Sequence, residues 1–183
     1  AMTLKTQTPD QLDHTKIAGK LLSAILSFFI LIGLDQITKH YIDTHMNLYD
    51  SISVIPNVFD IHYIRNAGAA WGMFQNQQIL FYICTAIVLI LGIILYLRCL
   101  RMNRYKDLRV LLILILSGAV GNFIDRIRYQ YVIDFFYFKL IDFPVFNVAD
   151  CYVTVGFILL LIIILFKYKE EDFETLFSFR KHN

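Results

Sequence analysis

Charge is what this chain has least of. Only 17% of its 183 residues are charged while 57% are hydrophobic, and the mean hydropathy is +0.57. Soluble domains carry about a quarter charged residues, so the chain reads as an integral membrane protein forming one unit. A formal net charge of +2 is too small to argue for nucleic acid, and no basic cluster interleaved with aromatics offers a single-strand groove. Cysteine is also sparse. Cys84, Cys99 and Cys151 are odd in number and widely spaced, which excludes a disulfide framework and a zinc ribbon and leaves them as packing residues. His-Glu-x-x-His is absent, and His14, His40, His45, His62 and His182 present no helical metal pair. Ser117 lacks a Gly-x-Ser-x-Gly elbow, and the Cys151 thiol gains no help toward a thiolate from its neighbour Asp150.

Four apolar runs are present, at about 21–34, 79–97, 110–124 and 153–166, with no internal repeat between them. A membrane span needs about 20 residues, and only the second run approaches that length alone. The others reach it by including a polar motif: Asp35-Gln36-Ile37-Thr38-Lys39, Gly121-Asn122-Phe123-Ile124-Asp125-Arg126, and Asn147 to Asp150. The expected spans are therefore about 21–41, 79–97, 110–128 and 148–166, three of them carrying polar groups at membrane depth. Ala1 ahead of Met2 reads as a residue left by an expression tag.

Arg98, Arg101, Arg104, Lys106 and Arg109 connect the second and third spans, and Lys16, Lys20, Lys167 and Lys169 flank the first and fourth. By the positive-inside rule both termini face the cytoplasm. Counting from that side at 1.5 Å per residue, Asp35 lies roughly 21 Å up its helix and Asp125 about as far up the third. The fourth helix runs back and puts Asp150 near its outer end. The polar motifs thus converge at the outer boundary. There, 43–78 forms an extracytoplasmic segment: Phe59, Ile61 and Tyr63 alternate with Asp60 and His62, predicting a small β-sheet or hairpin after a turn at Pro56-Asn57. Arg65 to Gly72 is expected to lie over the site as a short surface helix reaching Phe74, with Trp71 at the interface. The tail, 167–183, is expected on the inner surface.

Asp134 and Asp150 stand apart because their sequence neighbours are apolar and supply no cation. Apolar surroundings raise a carboxyl pKa, and two close carboxylates tend to share one proton, giving one base and one acid. The alternative for Asp150 is a helix N-cap. Asp35 has Lys39 at i+4, the order that favours an ion pair, and Asp125 has Arg126 and Arg128 close in sequence, so both read as held, ionised carboxylates. Arg126 lies i+4 from Asn122; the two either donate to one ligand or tie the helix end to its neighbours. Asn66, Asn122 and Asn147 offer uncharged partners to the aspartate pair.

Together with Arg65-Asn66-Ala67-Gly68-Ala69-Ala70-Trp71-Gly72 and Val132-Ile133-Asp134-Phe135, these motifs resemble, in content and order from about 35 to 156, the bacterial lipoprotein signal peptidases, or signal peptidase II. The resemblance implies a multi-pass aspartic endopeptidase of the cytoplasmic membrane that cuts prolipoproteins before a diacylglyceryl-modified cysteine. It further implies Asp134 and Asp150 as the catalytic dyad, lined by Asn66, Gly68, Asn122, Arg126 and Asn147 and supported by Asp35, Lys39 and Asp125. Inhibition by globomycin, contact with membrane lipids, a monomeric state, and no metal or organic cofactor are expected with it. Two other classes compete on the residues alone: a small ion-coupled transporter, since buried carboxylates serve proton relays, and a noncatalytic lipoprotein-binding chaperone. Against the transporter stand the missing inverted repeat and the clustering of polar groups at one leaflet.

Overall fold

A computed structural model of the chain describes residues 14–69, 73–100 and 102–177. Large apolar side chains face outward, with Phe29, Ile37, Ile79 and Leu165 all more than 60% exposed, while Asp35, Lys39, Asp125 and Asn147 are almost wholly buried. That inversion of the soluble pattern is what a lipid solvent selects, because hydrocarbon solvates leucine and rejects charge. Among the described residues, four helices are long and apolar enough to cross a membrane: Lys16–His45, Gln78–Leu100, Asn103–Tyr129 and Val148–Phe166. They belong to α1 (His14–His45), α2 (Gln78–Leu100), α3 (Lys106–Tyr129, preceded by a 3-10 turn) and α4 (Val148–Phe166).

Helix α3 is central and packs against the other three. Close approach depends on small residues, as is usual where helices meet in lipid. Gly118 faces the Ala149 carbonyl. A Cβ on Gly121 would stand 2.5 Å from the Asp35 carboxylate and 3.2 Å from Ala149 Cβ. Gly121→Ala is therefore expected to push α3 away from α1 and α4 and to lower stability by about 1–3 kcal/mol, the usual range for overpacking; thermal unfolding of the detergent-solubilised protein measures it.

At one end of the bundle, β1 (Ser51–Ile55), β2 (Phe59–Asn66) and β3 (Val132–Tyr137) form an antiparallel sheet in the order β1-β2-β3. The β1–β2 hairpin turns at Pro56-Asn57, where Asn57 takes φ 61°. The third strand comes from outside the 43–78 segment. Period-two reasoning does not reveal it because its first four residues are all buried, so it reads as one apolar run. Tyr63, Ile133 and Phe135 pack with Ile42 of α1 and seat the sheet on the bundle. No described residue of the expected surface helix is helical: Arg65 and Asn66 end β2, 67–69 bend and 73–76 turn, while 70–72, including Trp71, lie outside the described residues.

At the opposite end, α5 (Glu170–Phe177) folds back on the bundle. Leu176 and Tyr168 pack against Cys99, Tyr105 and Leu108, and Asp172 pairs with Arg104. Phe179 lies outside the described residues.

Candidate active site

Two chain segments enter the site from opposite directions, and each is held by a buried carboxylate. Where α4 begins, Asp35 Oδ1 accepts the Ala149 N–H at 2.9 Å. Where β3 begins, Asp125 Oδ2 accepts the Ile133 N–H at 3.2 Å. Lys39 joins the two: its Nζ is 2.9 Å from Asp35 Oδ2, 3.0 Å from Asp125 Oδ2 and 2.8 Å from Asn122 Oδ1, using all three ammonium hydrogens. Gln36 completes the layer by donating to Asp125 Oδ1 at 2.9 Å and to the Gly121 carbonyl at 3.2 Å. The expected Asp35–Lys39 pair forms. Asp125 is paired with Lys39 rather than with Arg126 or Arg128, because the helix turns those cations away while α1 presents its lysine across the interface.

Above this layer, Asp134 and Asp150 line one cleft of about 440 Å³ together with Asn66, Gly68, Asn122 and Arg126. Asn147 N-caps α4: its side chain accepts the Asp150 N–H at 3.0 Å, and the Asp150 carboxylate accepts the Asn147 N–H at 3.1 Å. Asp150 is thus not the N-cap but the third helical residue, which closes a capping box with Asn147, and the cap fixes its rotamer. The Asn147 amide nitrogen then donates to Asp134 Oδ1 at 2.6 Å and to Asn122 Oδ1 at 3.0 Å. Asn122 in turn donates to Asp150 Oδ1 at 2.7 Å, and Asn66 donates to Asp134 Oδ2 at 3.0 Å. All four carboxylate oxygens therefore accept from neutral amides. No ion pair reaches either aspartate among the described residues, although Lys39 and Arg126 act on them at longer range. Burial first, and the Asp150 carboxylate second, push the Asp134 carboxyl from its ordinary 3.8 up to about 7.

Arg126 sits on the cleft wall with its guanidinium 4.3 Å from the centre of the Phe81 ring, and donates to the Gly68 carbonyl at 3.2 Å. Its buried Nε has no partner among the described residues. Asn122 and Arg126 do meet at the cleft, as their i+4 spacing suggested. Asp35, Lys39 and Asp125 do not line it; they hold the segments that do. The sequence reading missed Gln36, although it lies within a quoted motif. It also missed Phe138, Phe143 and Thr154 as cleft walls; Thr154 could have been found from its i+4 spacing to Asp150, whereas the two phenylalanines lie in a loop without periodicity.

A pair of carboxylates in one cleft, hydrogen-bonded only by neutral amides at the end of a membrane bundle, is what an aspartic peptidase needs. The family model for signal peptidase (SPase) II matches residues 27–166. The chain belongs to the signal peptidase II family. Among its relatives, a lipoprotein signal peptidase of Streptococcus pyogenes serotype M1 is 43% identical over 151 residues, covering 81% of this chain and 95% of the relative. A lipoprotein signal peptidase of Streptococcus thermophilus (strain CNRZ 1066) is 45% identical over 142 residues, 78% of this chain and 91% of the relative. A bacterial membrane enzyme solved by the in meso method at 2.3 Å resolution superimposes with a TM-score of 0.70 at 33% identity, over 88% of this chain and 94% of its own. A second, solved at 1.9 Å, gives 0.68 at 37% identity, over 80% and 94%. As a signal peptidase II, the chain is a multi-pass bacterial membrane protein and an aspartic peptidase, and the transporter reading falls away.

Proposed function

We propose that this peptidase removes signal peptides from prolipoproteins by cutting just before the diacylglyceryl-modified cysteine, with Asp134 and Asp150 as its catalytic dyad. The observation that carries the proposal is that both carboxylates face one cleft and are bound only by neutral amides, so neither is locked as an ion. Two such groups at close range hold one proton between them and titrate as a unit. The ionised member takes a proton from water as it attacks the scissile carbonyl. The protonated member donates to the carbonyl oxygen, and the leaving amine is then protonated. Asn66, Asn122 and Asn147 fix both carboxylates before substrate arrives, and Gly68 and Arg126 border the path of the bound peptide. The substrate's acyl chains stay in the bilayer and hold the modified cysteine at the depth of the dyad, which lowers the barrier by positioning.

Arg98, Arg104, Lys106, Lys167 and Lys169 gather at the bundle end opposite the sheet, which supports a cytoplasmic placement of that end and of both termini. The site then faces the extracytoplasmic side of the cytoplasmic membrane. Globomycin is expected to occupy the cleft, and a monomer carries every residue named.

Cleavage tests the proposal. The reconstituted protein is given a prolipoprotein with or without the diacylglyceryl group, and the products are read by mass spectrometry. A single cut before the cysteine, dependent on the lipid and blocked by globomycin, is expected; equal cutting of both substrates, or a cut elsewhere, would overturn it. The rate should also fall as pH rises above about 7, where the pair loses its shared proton, and again in acid, once both carboxyls are protonated. A flat profile between pH 6 and 9 would be incompatible with a proton-sharing pair.

A further inference from the structure

Between β3 and α4, residues 138–144 make a loop whose surface is apolar although it lies outside the helices: Leu140 is 69% exposed and Ile141 68%, flanked by Phe138 and Phe143 at 42% and 41%. Three features separate it from an ordinary solvated loop. First, four consecutive N–H groups of the loop bond within the protein. The N–H groups of Ile141 and Phe143 donate to the Phe138 carbonyl, that of Asp142 to Lys139, and that of Leu140 to Val58 at the tip of the β1–β2 hairpin. Each N–H paired in this way lowers the cost of bringing irregular backbone to the membrane boundary, where an unsatisfied group costs several kcal/mol. Second, its two charged side chains turn back onto the sheet. Lys139 Nζ lies 3.6 Å from Asp60 Oδ2, and Asp142 Oδ1 accepts the Tyr137 hydroxyl at 2.6 Å. Third, the loop flanks the fourth membrane-spanning helix. Phe138 and Phe143 share the cleft with Thr154 and Val155, which lie about 10 Å along α4 from its first residue at 1.5 Å per residue. Val155 is itself 48% exposed on the lipid-facing surface of that span, so the apolar loop continues the lipid-facing belt.

We propose that this loop is a lipid-inserting wedge, with Leu140 and Ile141 seated among the acyl chains of the sheet-side leaflet beside the mouth of the cleft. The partner is the bilayer itself, and the inference needs only the membrane setting, not the peptidase chemistry. The wedge would keep one wall of the cleft in contact with hydrocarbon, so a lipid-anchored peptide reaches the site without crossing a layer of water.

Trp71 is the chain's single tryptophan, so in a Trp71→Phe parent an added tryptophan reports alone. Leu140→Trp and, separately, Ile141→Trp are reconstituted as full chains in phosphatidylcholine–phosphatidylglycerol vesicles, with and without bromine on the acyl chains. A retained unfolding transition shows that each variant is folded, and the two positions serve as independent reporters. The expected result is blue-shifted emission that is mostly lost with brominated lipid and indifferent to iodide. Quenching by iodide without quenching by bromolipid would place the loop in water and overturn the proposal. Resistance to both would mean that protein, such as a second copy, covers it, and would overturn it equally.

Discussion

Asp134→Asn or Asp150→Asn, made singly, is expected to reduce cleavage of a diacylglyceryl-modified prolipoprotein by about 10²–10⁴-fold, the range that a positioned acid or base contributes. Either change removes the shared proton, so the loss should appear in kcat. KM should move little, because asparagine keeps the size of the side chain and the cleft keeps its walls. A variant that cleaves at a near-normal rate would remove its residue from the dyad. The same substitution carries a second signature that does not depend on substrate. The folded pKa of Asp134, about 7, lies above the ordinary 3.8, so between those values the folded state binds more protons than the unfolded state. Stability contributed by this group is therefore greatest below pH 4, falls as pH rises toward 7 and is flat above. Asp134→Asn should flatten that slope in thermal unfolding across pH 4–7. An unchanged slope would mean that the raised pKa does not belong to Asp134.

Lys39→Met is expected to be the most destabilising single change in the bundle. The side chain is 2% exposed and touches two carboxylates that are themselves 0% and 1% exposed. Removing the ammonium leaves two like charges buried without a cation, and breaking a buried pair of this kind costs about 3–5 kcal/mol. Catalysis should fall with stability, since Asp35 holds the first turn of α4, Asp125 holds the start of β3, and Lys39 also holds Asn122, which donates to Asp150. A triple variant, Lys39→Met with Asp35→Asn and Asp125→Asn, removes the stranded charges and should recover much of the unfolding temperature. It should recover less of the activity, because the amides cannot reproduce the same acceptor geometry. If the single and triple variants unfold at the same temperature, the lysine is not the keystone of the layer.

The fold was legible where a local signal exists. Apolar runs mark the spans because lipid demands them over about 20 residues, and the Phe59–Tyr63 alternation marks β2, although the buried residues of that strand are Asp60 and Tyr63 rather than one alternating face. β3 escaped because both its faces are buried. The Asp35–Lys39 pair was visible at i+4 on one helix, whereas the Lys39–Asp125 pair joins α1 to α3 across 86 positions of sequence and leaves no periodic trace. Asp150 illustrates a different limit: helix-capping chemistry and site chemistry fall on the same residue, and only the observed Asn147 cap shows that they coexist rather than compete.

Residue order alone therefore establishes a four-span membrane protein, names the polar motifs and singles out Asp134 and Asp150 as carboxylates without sequence-local cations. These conclusions rest on length, hydropathy and helical spacing, which are properties of short stretches. Tertiary structure alone decides that Asn147 bridges Asp134 to Asn122, that one lysine ties together the two segments bearing the aspartates, and that the 138–144 loop lies beside α4 at the cleft. Each of those depends on which helix faces meet, and that choice is made by packing around Gly118 and Gly121, not by any neighbour in the chain.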